Sequence, residues 1–287
     1  MPLPTPPDVH PADLTQSLSA LGIRPGDVLM LHSALSSLGR FQGGAPALVE
    51  AILSLLGPEG TLVVPTLPDL SLPFDPETSP STVGQLTEVV RQWPGARRSR
   101  HPTHAVSAIG AQAGYLTAGH DRTLSCGPDS PYGKVAALRG WVLLVGVDQD
   151  RNTTWHAAET IVDVPYLRTL TVRVVEAGGV IKEITLPKSP CGHRAFIELD
   201  RPLREAGLVR MGRVGQATLR LMPAGQMLDW GVARLRDDPA AFLCSKPLCV
   251  FCQWARATLR GDAARVDWHE RTRRWGCADP RCEVCVV

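Results

Sequence analysis

Pro25-Gly26-Asp27-Val28-Leu29-Met30-Leu31-His32-Ser33 runs from a turn, through four consecutive apolar residues, to a polar exit. An unbroken apolar run of that length suits a strand covered on both faces, where no side of the pleat meets water. The same pattern returns at Thr61-Leu62-Val63-Val64, ending on Pro65-Thr66, and at Trp141-Val142-Leu143-Leu144-Val145, ending on Gly146. Helical segments lie between these runs. Leu14, Leu18 and Leu21 recur at helical spacing over Pro11 to Gly22, with Gly22 placed to end the helix. Pro46 to Leu56 is a second helix stopped by Gly57-Pro58, and Thr154 to Val162 a third. Buried strands alternating with helices predict an α/β fold, a central mixed sheet flanked by helices.

Further along, apolar residues alternate from Thr169 to Ile184 around Gly178-Gly179, the pattern of a β-hairpin. Met211 to Leu221 fits a strand pair, and Ala224 to Leu235 a closing helix. Near Phe242 the composition turns to Cys, Trp and Arg. The expected organisation is therefore a main domain over 1–241 and a Cys-rich segment over 242–287.

The 287 residues suffice for a large core, and 44% apolar with 20% charged residues is an ordinary balance for a globular protein. A net charge of +2 gives no reason to expect nucleic acid as a partner. The first ten residues carry four prolines and no signal-peptide pattern, and no apolar run approaches the ~20 residues of a membrane span. A cytoplasmic location is expected, and with it reduced thiols. Eight cysteines in such a compartment point to metal more than to disulfides.

In sheets of this kind, ligands bind beyond the carboxyl ends of the strands. That directs attention to Leu31-His32-Ser33, Val64-Pro65-Thr66 and Val147-Asp148-Gln149. Asn152-Thr153-Thr154-Trp155-His156-Ala157-Ala158-Glu159 opens a helix just after the third exit, with Thr153 or Thr154 as the expected cap. His156 falls in its first turn, and Glu159, three residues on, shares its face. Histidine takes a proton near neutral pH, and a carboxylate at that spacing orients the ring. Arg97-Arg98-Ser99-Arg100-His101-Pro102-Thr103-His104 sets three arginines beside hydroxyls, a pattern suited to phosphates. Each of these pieces alone reads more readily as a solvated helix face, a polar loop or, for the arginine run, a basic surface turn. No P-loop or dinucleotide fingerprint accompanies them, which argues against ATP and nicotinamide chemistry.

Taken in order, LHSALSSLG, GTLVVPT, FDPETSPSTVG, RRSRHPTHAVSAIG, GPDSPYGK and LLVGVDQDRNTTWHAAE resemble the aminoglycoside 3-N-acetyltransferase family, from about Asp13 to Ala241. The resemblance implies direct transfer of acetyl from acetyl-CoA, the cosubstrate, to a small-molecule amine such as the 3-amino group of an aminoglycoside. It implies His156 as general base, Glu159 with Asn152 or Asp150 as its orienting partners, and Thr66 near the thioester. His32, Ser33 and Ser37 would meet the pantetheine, and Arg98, Ser99 and His101 the CoA phosphates. Ser130 and Lys134 would complete that cradle. For a cationic acceptor the candidate acids are Asp69, Asp75 and Glu77, with Glu198 and Asp200 as further candidates. The sequence departs from the family at Asp148-Gln149, where His or Asn is more usual, a difference that bears on acceptor choice. A homodimer is compatible with this reading. An acetyltransferase for a non-antibiotic amine, and a zinc-dependent binding protein on the same scaffold, stand as alternatives.

The tail repeats one spacing twice: Cys244-x4-Cys249-x2-Cys252 and Cys277-x4-Cys282-x2-Cys285. Paired C-x2-C units read as a structural Zn2+ site, with Cys249, Cys252, Cys282 and Cys285 as the expected ligands and His269 as an extra candidate. An iron–sulfur cluster and unmetallated thiols remain the alternatives.

Overall fold

The structure, a computed structural model, describes residues 8–190, 195–246 and 249–261. Strands β1 (Val28–Ser33), β2 (Thr61–Pro65), β3 (Arg97–Arg98), β4 (Val106–Gly110), β5 (Trp141–Val145), β8 (Arg210–Val214) and β9 (Ala217–Pro223) form one sheet in the order β3-β4-β2-β1-β5-β9-β8. β6 (Arg168–Val175) and β7 (Ile181–Ser189) form a separate hairpin. The helices are α1 (Pro11–Leu21), α2 (Gly44–Leu56), α3 (Gln85–Arg91), α4 (Ala113–Thr117), α5 (Pro131–Ala137), α6 (Trp155–Val162), α7 (Asp200–Glu205), α8 (Ala224–Asp237) and α9 (Val250–Leu259).

β1 pairs in parallel with both β2 and β5, while β4 and β9 add in antiparallel sense on either side. The three predicted buried strands are thus the centre of the sheet, and their carboxyl ends open on one edge. Side chains of the pleat divide cleanly. Leu29, Leu31, Leu62, Val64, Leu143 and Val145 face a core built on α1, α2 and α3. Val28, Met30, Val63, Val142 and Leu144 face the other core, which holds residues of α5, α6 and α8. Successive residues of a strand point to opposite faces, so both sides are apolar because both are covered. His32, two residues beyond Met30, is carried to the α6 side of the sheet.

The predicted hairpin, closing strand pair and α8 are all present. The segment over 97–110, for whose basic start the sequence suggested no strand, contains two: β3 and β4, the latter pairing with β2 from Thr61↔Gly110 to Pro65↔Val106. α1 ends at Gly22 as expected, with the glycine in the left-handed region at φ 110°. The first part of the Cys-rich segment packs on the same core as α6: Phe242, Leu243, Cys244, Cys249, Phe251, Cys252 and Ala255 are all buried there. Among the described residues, no helix is long and apolar enough to cross a membrane.

Candidate active site

β5 runs out at Val145, and the chain reaches α6 through a short turn at Gln149–Arg151. Side chains lock that turn. Asp148 accepts from the Gln149 N–H at 2.7 Å, and the Asn152 amide donates to Gln149 Oε1 at 3.1 Å. The Trp155 indole N–H donates to the same oxygen at 3.0 Å. The expected threonine cap is not made: Thr154 occupies the cap position, but its hydroxyl forms no capping bond and is buried without a partner. Asn152 Oδ1 takes over, accepting from the Thr154 N–H at 3.2 Å. Committed in this way, Asn152 holds the turn, and Asp150 pairs with Arg151 at 3.4 Å.

His156 and Glu159 meet as the i, i+3 spacing predicts. His156 Nδ1 lies 2.7 Å from Glu159 Oε2, with both residues buried. A carboxylate only accepts, so Nδ1 carries the hydrogen and Nε2 is the basic nitrogen. The surroundings of Glu159 stay neutral. Burial, then the Glu159 charge, push the Cys126 thiol and the Tyr166 phenol above their ordinary ranges. Phe196, from the turn at Ala195–Leu199, sets its ring against His156 at 4.9 Å between centroids and 64°.

Beyond His156 runs a row of buried imidazoles. His104 lies edge-on to it at 6.0 Å, His101 follows at 6.2 Å, and His120 tilts over His101 at 4.7 Å. Thr103 Oγ1 sits between His101 Nδ1 (3.2 Å) and His104 Nδ1 (2.8 Å). His120 Nε2 donates to the Ser125 carbonyl at 2.9 Å, which makes its Nδ1 the acceptor for the Ser99 hydroxyl at 2.9 Å. Burial first, and then mutual repulsion, hold His101 and His104 well below the ordinary histidine range. Burial likewise brings His120 to about 4 and His32 to about 3. The row is neutral at pH 7. Ser99 and His101 therefore connect to His156 through His104. His104 closes the segment read as suited to phosphates, but the sequence did not pair it with His156, from which 52 residues separate it. The signal available was the spacing His101-x2-His104 itself.

The remaining predicted residues divide into groups. His32 Nε2 and Ser33 Oγ are buried at the β1 exit with no hydrogen-bond partner. Ser37 donates to the Ala34 carbonyl at 2.5 Å. Thr66 is fully buried and accepts from Ser107 Oγ at 3.2 Å, so its own hydroxyl hydrogen is left to donate. Arg98 reaches the carbonyls of Ser79 (2.5 Å) and Thr66 (2.7 Å), a role in holding the loop after β2. Ser130 caps α5, donating to Gly127 O at 2.6 Å and accepting from Gly133 N. Lys134 donates to the Tyr115 and Ala118 carbonyls at the end of α4. The polar atoms of Ser37, Ser130 and Lys134 are thus engaged within loops and helix ends, whereas Arg98 Nε has no partner.

Among the acids, Asp69 accepts from Ser71 N, and Asp75 from Glu77 N and Thr78 Oγ1. These bonds hold both carboxyls below the usual range, that of Ser71 foremost for Asp69 and that of Glu77 for Asp75. Glu77 pairs with Arg100 at 3.5 Å on the surface. Glu198 is exposed on the turn that carries Phe196. Asp148 joins a network the sequence did not suggest. It pairs with Arg220, which also binds Asp200, and Asp200 binds Arg204. A cleft of about 500 Å³ lies between His101, the loop carrying Asp121 and Asp129, and β7.

Of the expected zinc ligands, Cys249 and Cys252 lie together, and Cys244 joins them. Cys282 and Cys285 lie outside the described residues, as do Cys277 and His269.

Comparison with known proteins agrees with this architecture. The sequence profile of the family described as aminoglycoside 3-N-acetyltransferase matches residues 30–236. Aminoglycoside N(3)-acetyltransferase IV of Salmonella sp is 37% identical over 235 residues, covering 81% of this chain and 89% of that protein. The crystal structure of aminoglycoside acetyltransferase AAC(3)-IVa, as a histidine-to-alanine mutant in complex with a gentamicin, superposes with a TM-score of 0.81. It is 33% identical and covers 89% of this chain and all of that one, 100%. AAC-IIIb, solved as a binary complex with CoASH, superposes with a TM-score of 0.76 at 27% identity, covering 80% of this chain and 97% of that one. With the profile spanning most of the chain and these relatives covered nearly end to end, the chain belongs to the aminoglycoside 3-N-acetyltransferase family.

Proposed function

We propose that the protein transfers acetyl from acetyl-CoA directly to an amine of an aminoglycoside, the 3-amino group, with His156 as general base. The observation that carries this reading is the 2.7 Å bond between His156 Nδ1 and Glu159. It fixes the tautomer with a basic Nε2 and stabilises the imidazolium that forms when that nitrogen takes a proton. An aminoglycoside amine is mostly ammonium at pH 7 and is a nucleophile only after losing a proton. His156 Nε2 accepts that proton, the amine nitrogen attacks the thioester carbon, and the second proton that the nitrogen must shed passes to solvent. The C–S bond then breaks, and the leaving thiolate is protonated by the imidazolium. The products are the acetamide and CoA thiol, and His156 is regenerated.

Other residues fit this sequence of events. Thr66 retains a hydroxyl hydrogen at the β2 exit, suited to the oxyanion. Ser33 Oγ and His32 Nε2, buried polar atoms without partners at the β1 exit, suit the amide groups of a pantetheine arm. The solved relatives bound to CoASH and to a gentamicin support both substrates. Asp69, Asp75 and Glu77 supply negative charge toward a polycation.

The test is release of CoA thiol by the purified protein across kanamycin- and gentamicin-class amines. His156→Ala should lower kcat at least ~10²-fold with an unchanged thermal midpoint. Turnover within threefold of the parent would remove His156 from this role. Activity confined to simple amines would replace the acceptor while keeping the chemistry.

A further inference from the structure

The thiols of Cys244, Cys249 and Cys252 converge in the core that α6 also shares. All three are buried, and their Sγ atoms lie within 4.8 Å of one another. Around a tetrahedral Zn2+ with Zn–S bonds of ~2.3 Å, neighbouring sulfurs stand about 3.8 Å apart. The observed grouping needs less than about 1 Å of adjustment to reach that arrangement. Without a metal, hydrogen bonding among the three sulfurs, and then burial, raise the Cys244 and Cys252 thiols above their ordinary range; two further features suit a ligating sulfur. Cys249 occupies the cap position of α9, where the helix N-terminus favours negative charge. Cys252 Sγ accepts the backbone N–H of Cys244 at 3.3 Å, the kind of outer hydrogen bond that orients a ligating sulfur.

We infer that Cys244, Cys249 and Cys252 form a structural site for a thiophilic divalent cation of the zinc class. Binding forms three metal–sulfur bonds and releases the thiol protons to solvent. The sequence reading paired Cys249 and Cys252 with Cys282 and Cys285, which lie outside the described residues; among the described residues Cys244 is their immediate companion. The fourth coordination position is filled by water or another donor.

The location gives the site a purpose. Phe242, two residues before Cys244, packs edge-on against Trp155 at 5.4 Å and against Phe196 at 5.7 Å. Phe196 in turn walls the His156 ring. Phe251, between Cys249 and Cys252, packs edge-on against Tyr166 at 6.2 Å. The fit leaves no slack: a Cβ added at Gly231 would fall 2.8 Å from Trp155 and 3.0 Å from Phe242. A cation tying the three sulfurs together fixes the aromatic wall behind the catalytic helix. This inference does not depend on which amine is acetylated.

The experiment uses the full chain purified without chelator or affinity metal. Elemental analysis should find about one zinc per chain. Replacement by Co2+ should give a near-ultraviolet thiolate charge-transfer band with the intensity of at least three Co–S bonds. Cys244→Ser and Cys252→Ser should each weaken that band and lower the thermal midpoint by more than about 5 °C. Cobalt titration of the refolded parent provides the same readout if a variant does not fold. Absence of metal with no thiolate band, a disulfide within the trio, or a band unaltered in both variants would each overturn the proposal.

Discussion

Replacing Glu159 with Gln isolates the charge behind His156 from its shape. The amide keeps the side-chain length, and its oxygen can still accept from Nδ1, so the tautomer survives. What disappears is the negative charge facing an imidazolium. Both residues are buried and the bond is 2.7 Å, so solvent screening is weak. Taking charge centres about 4 Å apart and an effective dielectric of about 20, the lost Coulomb attraction is about 4 kcal/mol. Relaxation and the retained neutral hydrogen bond return part of this, leaving about 2–3 kcal/mol on the step that forms the imidazolium. At 1.36 kcal/mol per decade, kcat should fall about 30- to 150-fold. The KM for acetyl-CoA should hold within about threefold, because the carboxylate lies behind the base. Steady-state thiol release at saturating acceptor measures both. A kcat within threefold of the parent in a folded Glu159→Gln protein would refute the claim that this carboxylate stabilises the base.

Three other outcomes follow from the structure. Phe242→Ala removes a fully buried ring that touches Trp155 and Phe196, and should cost about 3–5 kcal/mol in urea unfolding; a loss below about 1 kcal/mol would show that the ring is not part of the core. His120 and His32 are held by burial at about 4 and about 3, against an ordinary 6.5. The unfolded chain takes up these protons first, so stability should decline as pH drops below about 6.5, through about 4 for His120 and about 3 for His32. Each should cost about 2 kcal/mol between pH 7 and pH 5; His120→Asn should flatten the urea-midpoint profile, and an unchanged slope would count against the assignment. Asp69, Asp75 and Glu77 are surface charges, so a triple Asn/Asn/Gln substitution should raise the aminoglycoside KM severalfold at low salt and hardly at all at 0.5 M salt. Equal effects at both salt levels would speak against long-range attraction.

The centre of the fold was legible because burial on both faces leaves a local mark. Val28 to Leu31, Leu62 to Val64 and Val142 to Val145 are apolar without interruption, and helices between them follow from spacing. β4 was missed because Val106-Ser107-Ala108 carries a serine within the run, and only pairing with β2 makes it a strand. At the site, the His156–Glu159 contact was visible because three residues on a helix make neighbours. The walls of the base were not: Phe196 and His104 come from distant segments, and nothing local marks either as a neighbour of His156. Of the residues assigned to phosphates from their chemistry, Arg98 bonds to carbonyls, Ser99 to His120 and Ser130 to a helix end. The preference of Arg98 for Ser79 and Thr66 depends on a loop path that one-dimensional pattern does not encode.

Gly146 sits at φ 64°, and a Cβ there would stand 1.6 Å from Ser37 Oγ. The turns leaving β1 and β5 are therefore seated against each other with no clearance, and neither can be reshaped alone. Remodelling this enzyme for a new acceptor is closed at that seam. Engineering belongs at exposed positions such as Leu70, Leu72 and Glu198, where bulk can be added without prising two strands apart.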